Sequence, residues 1–132
     1  MRHPKLIAWE KKLQKELNRI DEEMEKKYGR TYPLHPARAK HGTTSNKKHD
    51  GLFAIDAAFT TGHGSELGRG YIIRVRMVTL ARVSKKTLMQ MEKEVAAKLR
   101  ISLPRIFPGK NLKVDQDGRV FKIHGDLSLG SL

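Results

Sequence analysis

The chain has 132 residues, with 27 Lys and Arg against 14 Asp and Glu, 38% apolar residues and no cysteine. That length suits one domain, 1–132, with a core of its own, and the missing cysteine excludes disulfides, thiolate nucleophiles and cysteine-ligated metals. A net charge of +13 is a surplus that a fold tolerates against self-repulsion, and a nucleic acid or other polyanion partner is the usual reason to keep it.

The surplus is spread along the chain: +3 over residues 1–30, +3 over 31–50, +2 over 51–83, +5 over 84–110 and none over 111–132. It therefore belongs to folded segments and not to a tail. Met1 to Glu10 passes quickly from a short apolar patch into charge, which fits neither a signal peptide nor a membrane span. The expectation is a cytoplasmic protein without membrane attachment.

From Pro4 to Tyr28, the apolar residues Leu6, Trp9, Leu13, Leu17, Ile20, Met24 and Tyr28 recur every three or four positions, the stripe of one amphipathic helix over about 4–28. Gly29 is its stop, with Lys26 and Lys27 against the negative end of the helix dipole. Residues 30–51 contain two prolines and no apolar period, and so read as a long basic loop. It carries His35, His41 and His49 beside Arg38, Lys40, Lys47 and Lys48.

Residues 52–80 read as a hairpin. Phe53, Ile55, Ala57 and Phe59 alternate along its first strand, and Tyr71, Ile73, Val75 and Met77 along its second. Matching the two apolar faces requires paired residue numbers with an even sum, which near 130 or 132 sets Asp56 across from Arg74 or Arg76. Such a pair is either a cross-strand ion pair or a catalytic carboxylate beside a cation. Gly62, Gly64, Gly68 and Gly70 lie between the strands, a density that asks for unusual backbone angles or for close approach by something else.

Ser84 is suited to cap a second helix over about 84–103, with the stripe Leu88, Met91, Val95 and Leu99; Pro104 limits it, and any continuation through Ile106 and Phe107 would be a separate turn. A closing hairpin over 112–124 turns at Asp117-Gly118 in the I′ manner, setting Val114 opposite Phe121 and Leu112 opposite Ile123. Residues 125–132 form a weakly determined tail. The order α-β-β-α-β-β implies an α+β fold: a mainly antiparallel four-stranded sheet with both helices on one face.

The uncovered face would then present Arg74, Arg76, Lys113, Lys122 and His124. With Arg69, Lys47 and Lys48, these cations are candidates to neutralise phosphates, and the glycine loop, through Gly62, Gly64, Gly68 and Gly70, is a candidate backbone nest for an anion. The polar strand positions carry no aromatic residue, while Phe53, Phe59 and Phe121 fall on the core side. The expected partner is therefore structured RNA or duplex, read by backbone and shape.

Two other readings stay open. His41, His49, Asp56 and His63 could serve a phosphoester-acting enzyme as acid, base or electrostatic groups. The first helix could instead pair with its copy in a structural homo-oligomer, using leftover positions such as Ile7. The spacing of His35, His41 and His49 supports no metal site, and no motif calls for a cofactor.

Overall fold

A computed structural model of the protein describes residues 4–32, 51–79 and 81–127. The elements are α1 (Pro4–Tyr28), β1 (Phe53–Thr60), β2 (Gly70–Met77), α2 (Lys85–Ile106), β3 (Leu112–Asp117) and β4 (Val120–Gly125). The strands form one antiparallel sheet in the order β1-β2-β4-β3. Both helices pack on one face, so the expected α+β architecture is the observed one. His35, His41, Lys47, Lys48 and His49 lie outside the described residues.

The core follows from the two apolar periods. Trp9, Leu13, Leu17, Ile20 and Met24 of α1 and Met91, Val95, Leu99 and Leu103 of α2 meet Phe53, Ile55, Tyr71, Ile73, Val75, Val114, Phe121 and Ile123 of the sheet. The helices lie antiparallel, bridged by Lys27 to Glu94 at 3.0 Å and by Lys98 to Glu23 at 2.8 Å. α1 also covers part of the free edge of β1. Its Glu25 carboxylate accepts from the Phe53 N–H at 2.9 Å, and its Gln14 amide donates to the Ile55 carbonyl at 3.1 Å, so α1 satisfies edge groups that would otherwise be open to pairing.

The first hairpin pairs Asp56 with Arg74, the register of sum 130. The second hairpin differs from expectation: Val114 faces Ile123, Gln116 faces Phe121 and Leu112 faces Gly125. The turn is Gly118-Arg119, not Asp117-Gly118. Only Gly118, at φ 64°, has positive φ, which matches a II′ turn with glycine first and not a I′ turn with two such residues. The slip is a two-residue change of partner, so Val114, Phe121 and Ile123 keep the core face.

α2 also departs from the sequence reading by running through Pro104 to Ile106. Pro104 offers no N–H to the Arg100 carbonyl one turn back, but both residues are exposed and water can serve that carbonyl, and the Phe107 N–H still closes the last turn on the Leu103 carbonyl at 2.9 Å. Burial of Leu103 and Phe107 holds the extra turn in place. At the other end, the Ser84 hydroxyl accepts from the Thr87 N–H at 3.1 Å. Ser84→Ala should cost about 1 kcal/mol, measured as a shift in urea midpoint without a change of slope.

Phe59 is the main correction to the core. It lies on the helix-facing side of β1 yet is 54% exposed, because the helix layer runs out above it; Ile7, near the start of α1, is itself 38% exposed.

Candidate polyanion-binding surface

The face of the sheet away from the helices carries Asp56, Arg74, Arg76, Lys113, Asp115, Lys122 and His124 by strand alternation. Three of its five basic side chains already hold carboxylates. Arg74 grips Asp56 through two hydrogen bonds of 2.7 and 2.9 Å, the His124 Nε2 lies 2.8 Å from Asp115, and the Lys122 Nζ lies 2.6 Å from Asp117. The Asp56 contact is thus a cross-strand ion pair, which raises the Arg74 pKa further. Arg76, Lys113 and Arg69 are exposed and have no carboxylate partner among the described residues.

The glycine loop folds back over this face and covers Lys122, which is only 2% exposed. The Lys122 ammonium donates to the Ser65 Oγ at 3.0 Å and to the Gly68 carbonyl at 2.8 Å, and its third contact is Asp117. All three of its N–H groups are spent. Asp117 also accepts from the Ser65 hydroxyl, and the bonds from Lys122 first and Ser65 second hold its carboxyl below the usual range. Lys122 is therefore corrected from a phosphate contact to an internal clamp on the loop.

The same geometry revises the proposed nest. The Gly62 N–H donates to the Thr60 Oγ1, the Ser65 N–H to the Gly62 carbonyl, the Leu67 N–H to the Ser65 Oγ and the Gly68 N–H to the Ser65 carbonyl, at 2.9 to 3.3 Å. Gly62 and Gly68 thus keep their amides for the loop, and a Cβ on Gly62 would overlap the Gly68 carbonyl, so the pair closes the loop's neck. Gly70 is buried in β2, where a Cβ would overlap the Ile123 carbonyl oxygen and sit 2.9 Å from the Lys122 Cγ. Its role is close approach of β4, not of an anion. Gly64 stands in open space at the exposed tip beside His63.

Of the catalytic candidates inside the described residues, His63 has no hydrogen-bond partner there and Asp56 is engaged by Arg74. No group of three or more His, Asp or Glu is placed to hold a metal ion among the described residues, and no helix there is long and apolar enough to cross a membrane. The sequence reading missed the Lys122 clamp. Its only signal is a lysine in register with Asp115 on a strand whose neighbour begins at Gly70, and nothing in that pattern says that a loop returns over it.

The helix layer holds the larger surplus. α1 and α2 together carry thirteen Lys and Arg against eight Asp and Glu. On their solvent sides Lys11, Lys15, Lys86 and Lys93 are exposed with no carboxylate partner among the described residues.

No solved structure matches the chain. A protein of Borreliella burgdorferi described as "Uncharacterized protein" is 38% identical over 106 residues, which cover 80% of this chain and 83% of that relative. A family model described as "Uncharacterised protein" matches residues 4–125, from the first turn of α1 to the last residue of β4, and the chain belongs to that family.

Proposed function

We propose that the protein binds nucleic acid through the phosphate backbone, with the exposed cations of the helix layer carrying most of the contact and Arg69, Arg76 and Lys113 adding to it. The observation that supports this reading is the set of exposed Lys and Arg that hold no carboxylate among the described residues, Lys11, Lys15, Lys86 and Lys93 on the helices above all. Each unpaired cation set against a phosphate releases counterions, which makes the binding steeply salt-dependent.

The test is binding of the full chain to structured RNA, duplex DNA and single strands across a salt series, with the nucleic acid checked for integrity afterwards. Affinity should fall by roughly 10- to 1,000-fold between 50 and 200 mM salt. Lys15→Gln combined with Lys93→Gln should weaken binding alike for all sequences and flatten the salt slope by about 1.5. Absence of binding at low salt sinks the proposal, and cleaved nucleic acid would replace it with the enzyme reading.

A further inference from the structure

Phe59 is an aromatic ring left in solvent on a protein whose other aromatic rings are buried or half-buried. It meets the Tyr71 ring edge-on at 5.5 Å, Tyr71 packs on Trp9 at 4.9 Å, and Trp9 stacks on Phe107 at 4.8 Å. The ring is thus held from behind by a row of packed aromatics, while its outer surface is free. The Tyr71 ring that supports it also lines a groove of about 430 Å³, whose walls include Ile7, Glu10, Lys11, Leu13 and Ala57. The Tyr71 hydroxyl donates to Glu10 at 2.9 Å, which fixes the groove's polar end.

From this arrangement we infer that Phe59 is a stacking site for an unpaired nucleobase, with Lys11 taking the adjoining phosphate. The inference rests on the nucleic-acid reading above and narrows it, because a base can reach Phe59 only when it is out of a duplex. Charge complementarity selects this occupant. The groove opens beside α1, whose exposed lysines suit a polyanion strand and repel a second copy of a chain carrying +13. A stacked base needs a supported ring and a cation for its phosphate; Tyr71 supports the ring, and Lys11 lines the groove that Tyr71 also walls.

The experiment compares the full chain with Phe59→Ala, Phe59→Trp and Lys11→Gln, using a single-stranded RNA 12-mer and an RNA duplex of the same length at fixed low salt. Phe59 is more than half exposed, so the alanine variant should stay folded and lose only the edge contact with Tyr71. The expected result is a roughly 10-fold loss of single-strand affinity in Phe59→Ala with its salt slope unchanged, recovery in Phe59→Trp, and no change on duplex. Lys11→Gln should lower the single-strand salt slope by about 0.7. Bound single strand should also shift the Phe59 ring protons upfield in NMR spectra.

Wild-type affinity in Phe59→Ala for both RNAs overturns the inference and leaves backbone binding standing. Failure of the wild type to bind either RNA overturns both. A sedimentation shift from dimer to monomer in Phe59→Ala, with RNA affinity unchanged, would assign the patch to self-contact and overturn the inference as well.

Discussion

Gly70→Ala should leave the protein largely unfolded at 37 °C, with a loss of about 3 kcal/mol or more in urea denaturation. A single methyl group does this because it would meet backbone. The Cβ overlaps the Ile123 carbonyl oxygen, so the strands themselves would have to part. They would part at the weakest seam of the sheet, since β2 and β4 pair over three residues only, Tyr71 to Ile73 against Phe121 to Ile123. That seam joins the two hairpins, and widening it at Tyr71 and Ile123 disturbs two core residues as well. Gly64→Ala is the control. Its site has open space, so its cost should be confined to the positive φ of 79° and stay near 1 kcal/mol.

Lys122→Met should lower the melting temperature by roughly 10 °C and release the glycine loop. Methionine keeps an unbranched stem of the same reach across Gly70, with sulfur in place of the Cδ methylene, and removes the ammonium, so the loss reports chiefly on the clamp. Asp117 and Ser65 would be left without their cation, and amide exchange should accelerate at Ser65, Leu67 and Gly68 while Ile73 stays protected. The clamp also has a pH signature. Because the folded Asp117 pKa is depressed, its contribution is complete above the ordinary carboxylate range and is lost as pH falls through the lowered value. Wild-type stability should thus decline on acidification more steeply than that of Lys122→Met. Equal acid profiles for the two would show that the Lys122–Asp117 pair adds nothing.

The elements were legible wherever one period ruled a segment. The three-and-four spacing of α1 places Trp9, Leu13, Leu17, Ile20 and Met24 in the core, and parity narrows the partner of Asp56 to Arg74 or Arg76, of which the structure takes Arg74. Parity also explains what was lost in the second hairpin. Turns at 117–118 and 118–119 with an appropriate shift of partner keep the same faces, so the apolar pattern cannot choose between them, and the choice falls to the backbone angle of one glycine.

The candidate site was less legible because it depends on contacts distant in sequence. Lys122 reads as one more surface cation until Ser65 and Gly68, more than fifty residues earlier, are folded over it. Phe59 fails in the opposite direction. Its alternation with Ile55 and Ala57 is that of a core residue, but alternation reports which face a side chain takes and not whether a helix extends far enough to cover it.

Trp9 gives the molecule an optical reporter of its own assembly. It is the chain's single tryptophan, its indole sits between a ring from β2 and the ring that follows α2, and its Nε1 is buried without a hydrogen-bond partner among the described residues. Its emission therefore samples a junction where α1, the first hairpin and the end of α2 must all be in place. A state that keeps its helices and hairpins but lets these three drift apart would shift toward the red in fluorescence while its far-ultraviolet dichroism stayed native. The two signals, read together, separate formation of the elements from their docking.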